Sequence, residues 1–158
     1  MKIETQTVEE TVELGRRLGR FAPRSGVTCV GLDGPLGVGK TQLARGIAEG
    51  AGVEDPGLVS SPTYVLMNIY KGPVTVWHLD AYRIASADDF AAIGIEDLLN
   101  GSEGPGIVVI EWASMVEEIL PGDCLRILIE HEEEGRRSLA MTAGGAVSTS
   151  LLERLLGG

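Results

Sequence analysis

An α/β fold with a mixed parallel and antiparallel sheet is predicted by three features of the sequence. The apolar run Val27 to Leu32 leads directly into Gly34-Pro35-Leu36-Gly37-Val38-Gly39-Lys40-Thr41 and then into a helical segment, Gln42 to Glu49. That order of strand, glycine-rich loop and helix is the context a phosphate-binding loop of the pattern G-x-x-x-x-G-K-[ST] requires. Two further strand-like runs, Tyr64 to Tyr70 and Val74 to Leu79, flank the turn Lys71-Gly72-Pro73 and predict an antiparallel pair within the sheet. The most apolar run, Ile107-Val108-Val109-Ile110, reads as a central strand buried on both faces.

The remaining elements follow from capping and periodicity. Thr7 with Glu10 is a capping-box pattern opening a helix to Arg20, and Val8, Val12, Leu14 and Leu18 give it an apolar face. Ala22 to Gly26 is a turn, and Gly50 to Gly57 is a loop closing the second helix. In Ser60-Ser61-Pro62-Thr63-Tyr64 the proline forces extended geometry on Ser61. Ser61, Thr63 and Tyr64 read either as a switch-like loop that senses a terminal phosphate or as an ordinary polar turn. Ser86 with Asp89 caps another helix, which breaks at Gly94, and Ile95 to Asn100 is a short helical turn. Ser114 to Leu120 is a short helix stopped by Pro121, Cys124 to His131 and Ser138 to Thr142 form a hairpin around Glu132 to Gly135, and Ser148 or Thr149 opens a last helix to Leu156.

Size and charge narrow the function. With 158 residues, 44% of them hydrophobic, and no internal repeat or long linker, residues 1–158 are expected to form a single domain. The net charge of -10 argues against a free-standing nucleic-acid binder, because phosphate backbones are gripped by Lys and Arg. A role in nucleic-acid metabolism through a basic partner stays open, and Arg16, Arg17, Arg20 and Arg24 would form the local basic face. Cys29 and Cys124 sit in apolar runs without metal or redox spacing and read as buried small hydrophobes of a reducing compartment. The N-terminus is too polar for a signal peptide and no run is long enough to span a bilayer, so a cytoplasmic location is expected.

The chemistry of the loop sets the candidate site. Its glycines let successive N–H groups turn inward around an anion, and the following helix adds a favourable dipole. Lys40 reaches the β- and γ-phosphates in such a loop, and the Thr41 hydroxyl sits on the bridging Mg2+. Two acids end apolar strands, Asp80 and Glu111. Glu111 follows the more hydrophobic strand and is favoured for the metal; Asp80 then orients or activates the attacking water. His78, alternating with Asp80, reads as a structural hydrogen-bonder, and Trp112 as core or as packing on a moving loop. Thr11 is placed to approach the nucleotide without a local reason that demands it. Arg136 and Arg137 read as a surface pair, with contact to nucleotide or partner as the other reading.

Four segments together resemble one family. Gly37-Val38-Gly39-Lys40-Thr41, Ser61-Pro62-Thr63-Tyr64, His78-Leu79-Asp80-Ala81-Tyr82-Arg83 and Glu111-Trp112, in that order, are similar to the bacterial TsaE (YjeE) ATPases of tRNA threonylcarbamoyladenosine biosynthesis. The resemblance implies a three-layer P-loop NTPase fold with a mixed sheet, and an ATP–Mg2+ site between the loop and the two acids. It implies a slow ATPase, stimulated by TsaD- and TsaB-type partners, that resets their complex between rounds of modification at adenosine 37. Contact with tRNA would be indirect. Carried over by motif, Lys40 and Asp80 are catalytic, and Thr41 and Glu111 hold Mg2+. Thr63 belongs to the switch-like loop, His78 and Trp112 lie near the site, and the candidate ATP-binding set is Thr11, Gly37, Val38, Gly39, Lys40, Thr41, Gln42 and Arg136, of which Thr11, Gln42 and Arg136 lie outside the four segments. The chain departs from the pattern at Pro35, where many members carry an acid; its nearby acid is Asp33, before Gly34. Val38 replaces the commoner alanine.

The main rival is a small-molecule or nucleotide kinase using the same loop, but no arginine-rich lid segment accompanies it. A GTPase lacks support, since no Asn-Lys-x-Asp sequence is present. A regulatory subunit that binds ATP without hydrolysing it would not need both strand-end acids.

Overall fold

The computed structural model describes residues 1–55, 67–84 and 87–158. The loop carrying Ser61, Thr63 and Tyr64, and the cap assigned to Ser86, lie outside the described residues. Strand β1 (Lys2–Thr5) precedes helix α1 (Val8–Phe21), whose N-cap Thr7 accepts the Glu10 amide through Oγ1 at 3.1 Å. The Glu10 carboxylate reaches past Thr7 to accept from the Gln6 amide at 2.7 Å, so the reciprocal bond of the box closes one residue earlier. Packing of α1 begins only at Thr11; Val8, expected on the apolar face, is therefore 45% exposed.

Strand β2 (Val27–Asp33) runs into the glycine loop and helix α2 (Lys40–Gly50). Helices α1 and α2 meet backbone to backbone. A Cβ on Gly15 would stand 2.4 Å from the Leu43 carbonyl oxygen, and one on Gly46 would stand 2.1 Å from that of Val12. Only glycine permits that approach, and it fixes the helix that carries Lys40 and Thr41 against α1.

The strands that follow are β3 (Met67–Tyr70), β4 (Thr75–Asp80), β5 (Gly106–Glu111), β6 (Cys124–His131) and β7 (Arg137–Ala143). Short helices α3 (Ala87–Ala92) and α4 (Ile95–Leu99) separate β4 from β5, and α5 (Ala146–Gly157) ends the chain. The seven strands form one sheet in the order β1-β7-β6-β2-β5-β4-β3. β2, β4, β5 and β6 are mutually parallel, whereas β3, β7 and β1 add antiparallel pairs at the flanks. The expected β3–β4 pair and the β6–β7 hairpin are both present.

Side-chain alternation divides the core in two. Ile107 and Val109 of β5 pack with Leu18, Leu43, Ile47 and Leu151 beneath α1, α2 and α5. Val108 and Ile110 pack on the other face with Leu79, Phe90, Ile95 and Val116, under α3, α4 and the 3-10 segment Ala113–Ile119. This makes three layers around a mixed sheet, and each fully buried Leu or Ile contributes roughly 1.5–3 kcal/mol. Cys29 and Cys124 are register partners on β2 and β6, both buried and free.

Two expectations are corrected. Helix α5 starts at Ala146 rather than Ser148, because the Asp123 carboxylate accepts from the amides of Val147 (2.8 Å) and Ser148 (3.0 Å). No open basic face forms from all four arginines of the 16–24 region: Arg16 binds Glu9, Glu13 and Glu49, and Arg17 donates to the Leu155 carbonyl. No described helix is long and apolar enough to cross a membrane.

Candidate active site

The parallel strands β2, β4 and β5 end side by side. Asp80 and Glu111 are register partners, and Leu32, the residue before Asp33, is paired with Glu111 on its other side. The carboxyl end of a parallel sheet is where ligands of open α/β folds bind. Sequence alternation within each strand then decides which acids face the loop.

The loop takes its shape from backbone that side chains resist. Gly34, Gly37 and Gly39 have φ of 143°, 76° and 120°. A Cβ on Gly34 would lie 2.3 Å from the Ile129 carbonyl oxygen, so the loop is seated hard against β6. Val38 is completely buried in the core below, which is where its extra bulk goes. Helix α2 has Gly39 as N-cap and no side-chain capping bond, leaving its first-turn amides for an anion.

Lys40 Nζ donates to the carbonyls of Gly34 (2.6 Å) and Pro35 (2.9 Å) and stands 4.1 Å from the centre of the Trp112 ring. Burial pulls the pKa of Lys40 below its usual value, against the opposing pull of Glu111, Asp80 and Asp33. Thr41 Oγ1 donates to Glu111 Oε1 at 3.1 Å, and His78 Nε2 lies 2.8 Å from Glu111 Oε2. Asp80, also buried, accepts the Tyr82 amide at 3.0 Å and so starts the turn Ala81–Arg83. Trp112 adopts left-handed backbone (φ 58°) and packs on Tyr82 with ring centres 4.9 Å apart.

These groups enclose a cavity of about 460 Å3. Of the residues singled out in the sequence, Gly37, Gly39, Lys40, Thr41, Gln42, Asp80, Glu111 and Trp112 line it. Leu36, Tyr82 and Arg83 line it as well; Tyr82 and Arg83 follow Asp80 closely in sequence, but no local signal marks them as site residues. Gln42 Oε1 is buried without a hydrogen-bond partner among the described residues.

Four expected residues stand back from the wall. Val38 is buried in the core with its carbonyl accepting from Arg137, and His78 is behind Glu111. Thr11 is fully buried below Gly39, its hydroxyl 2.8 Å from that of Thr5. Arg136 is on the hairpin, donating to the Glu133 carbonyl and pairing with Glu4 at 3.6 Å. Its neighbour Arg137 is the one that reaches the loop, with Nε 2.7 Å from the Val38 carbonyl oxygen. Arg136 caps the turn Glu133–Gly135 and Arg137 opens β7, a boundary that no local sequence signal marks.

Asp33 turns away from the phosphate loop. It pairs with Arg126 at 2.7 Å and accepts the Ser114 amide at 2.9 Å, tying the end of β2 to the segment after Trp112. Burial works to raise its pKa, but the guanidinium and the amide outweigh it and hold the carboxyl below its usual range.

The donor set suits Mg2+. The Thr41 hydroxyl and the Glu111 carboxylate are hard oxygen ligands that already meet across the cavity wall. No cluster of three or more His, Cys, Asp or Glu that could hold a metal occurs among the described residues. Mg2+ does not need one, since it binds through one or two protein oxygens with phosphates and water completing the shell.

The chain is similar to known proteins over most of its length. The profile of the family described as "Threonylcarbamoyl adenosine biosynthesis protein TsaE" matches residues 5–139. The tRNA threonylcarbamoyladenosine biosynthesis protein TsaE of Bacillus subtilis is 33% identical over 98% of this chain and 93% of its own. The protein of the same name from Treponema pallidum is 33% identical over 89% of this chain and 99% of its own. That of Streptomyces coelicolor is 42% identical over 75% and 77%. The crystal structure of Bacillus subtilis YdiB superposes with a TM-score of 0.80 at 28% identity, covering 99% of this chain and 94% of that one.

Proposed function

The chain belongs to the TsaE family, and from that premise we propose that it is a Mg2+-dependent ATPase serving tRNA threonylcarbamoyladenosine formation. Its substrate is ATP, bound in the cavity at the carboxyl ends of β2, β4 and β5. The observation that carries this reading is the contact between Thr41 Oγ1 and Glu111 at 3.1 Å, with Lys40 on the same cavity wall. A loop hydroxyl and a strand-end carboxylate brought together beside the lysine are the parts that phosphate-loop NTPases use.

The roles follow from position. Backbone amides at the start of α2 and the Lys40 ammonium hold the phosphates, the ammonium exchanging the carbonyls of Gly34 and Pro35 for phosphate oxygens. Thr41 and Glu111 hold Mg2+, which when bound supplies positive charge to the phosphate oxygens. Asp80, two strands from the loop and lining the cavity, orients the attacking water and takes its proton. Gln42, with its unpartnered Oε1, contacts the nucleotide or its water shell. Ser61, Thr63 and Tyr64 respond to the terminal phosphate. Turnover by the isolated chain is slow.

The work of hydrolysis is conformational. In the cytoplasm the chain acts on TsaD- and TsaB-type subunits, resetting them between transfers to adenosine 37, and meets tRNA only through them. Its net charge of -10 fits that indirect relation. The test is reconstitution of the modification with such subunits over many turnovers, with wild type and Lys40→Ala. The wild type should sustain product formation after the first round and the variant should not. Equal yields with either protein, or with none, would remove the resetting role. A phosphorylated small acceptor formed from labelled ATP without partners would replace this reading by a kinase.

A further inference from the structure

We propose that His78 is a positioning residue that sets the orientation of the Glu111 carboxylate for Mg2+. The inference rests on the ATP–Mg2+ reading of the cavity. His78 and Asp80 alternate on the same face of β4, but they stand at different depths. Asp80 lines the cavity, whereas His78 is two residues back, 1% exposed, and faces Glu111 from behind. His78 is registered with Val109 of β5, two residues before Glu111, so the imidazole meets the carboxylate on the diagonal between neighbouring strands.

The carboxylate is thus held from two sides. Thr41 Oγ1 donates to Oε1 at 3.1 Å and lies 3.4 Å from Oε2, and His78 Nε2 approaches Oε2 at 2.8 Å. An ionised carboxylate only accepts hydrogen bonds, so the imidazole hydrogen sits on Nε2. The other ring nitrogen, Nδ1, is buried and has no hydrogen-bond partner among the described residues, so Glu111 is the ring's hydrogen-bonding contact there. The ring is held in place partly by Tyr70, with ring centres 6.3 Å apart.

The imidazole fixes the rotation of the carboxylate from the side away from the cavity, which leaves the cavity side of Glu111 to the metal. Partners of metal-binding carboxylates commonly change metal affinity by about 10- to 100-fold when removed.

The experiment compares His78→Phe, which keeps a ring and removes the donor, with His78→Gln, whose amide nitrogen reaches about as far as Nε2. Mn2+ is the probe, its free concentration read by electron paramagnetic resonance in the presence of ADP. ADP binding without metal is measured separately by calorimetry in EDTA. The Phe variant should bind Mn2+ about 10- to 100-fold more weakly while metal-free ADP affinity stays unchanged, and the Gln variant should recover most of the loss. Unaltered Mn2+ affinity in His78→Phe overturns the proposal. So does a parallel fall in metal and metal-free ADP binding that Gln does not repair, because that is general damage to the site. Should His78→Phe not fold, His78→Asn takes its place: its amide ends short of Glu111 and should show the metal defect that Gln lacks. A wild type that binds no ADP at all would instead refute the nucleotide reading beneath.

Discussion

Gly46→Ala tests the packing that holds the phosphate loop in place. The added Cβ would lie 2.1 Å from the Val12 carbonyl oxygen and 2.9 Å from Gly15 Cα. Both neighbours are backbone of a well-packed helix, so neither can swing aside. Relief requires α1 and α2 to part by about 1 Å, a gap that already forfeits a quarter to a half of each affected dispersion contact. Overpacking of this kind costs about 1–3 kcal/mol. Alanine regains about 1 kcal/mol through helix propensity. Because the clash is with backbone, the cost sits at the upper end and the net loss is about 2 kcal/mol. For a chain of this size that lowers the melting temperature by roughly 4–8 °C. Thermal denaturation followed by circular dichroism reads it, with Gly157→Ala as the matched control, since a Cβ there meets nothing within 4 Å. A Gly46→Ala protein that melts at or above the wild-type temperature would refute the close helix contact.

Other outcomes concern the cavity and the acid limb. Lys40→Ala should bring ADP and ATP binding below detection in calorimetry; retained affinity would undo the loop assignment. Glu111→Gln should weaken nucleotide binding only when Mg2+ is present, whereas Asp80→Asn should spare binding and lower kcat by about 100-fold or more, the usual scale for loss of a general base. The reverse pattern in metal titrations and steady-state rates would exchange the two roles. Asp33 has a folded-state pKa held below its ordinary value of 3.8, so its contribution to stability is fully present above that pH and is lost as pH falls through the lower folded value. Asp33→Asn should therefore flatten the fall in stability below about pH 4, measured by urea denaturation across pH; an unchanged acid limb would mean the Arg126 pair is not formed in solution.

What the sequence disclosed depended on whether the signal was local. The loop, its flanking strand and helix, the β3–β4 pair and the last hairpin all announce themselves within a few residues, by period, glycine placement or turn chemistry. Strand β1 gives no such signal, because four residues at a sheet edge, with only Thr5 buried, carry no apolar alternation. Ser148 reads as the start of α5 but is its third residue: its hydroxyl reaches back to the amides of Gly144 and Gly145, and the amides of Val147 and Ser148 are taken by Asp123, more than twenty residues upstream. Arg137 rather than Arg136 reaches the loop because Arg137 is the first residue of β7, paired with His131, whereas Arg136 still belongs to the turn before it.

The same limit explains the site. That Asp80 and Glu111 end strands is written in the chain; that they end neighbouring strands in register is not. Register turns two separate acids into one wall, and it also sets His78 behind Glu111 while sending Asp33 toward Arg126. A one-residue slip of β4 against β5 would move every side chain to the opposite face, replacing His78 and Asp80 by Trp77 and Leu79. Both strands are buried on both faces, so their burial does not by itself say which register is right. The glycine contact between α1 and α2 removes the freedom on the helix side of the cavity. With the loop anchored there by Gly34 against Ile129 and by Val38 in the core, the remaining adjustable part is the carboxylate itself, and that is the part gripped by Thr41 and His78.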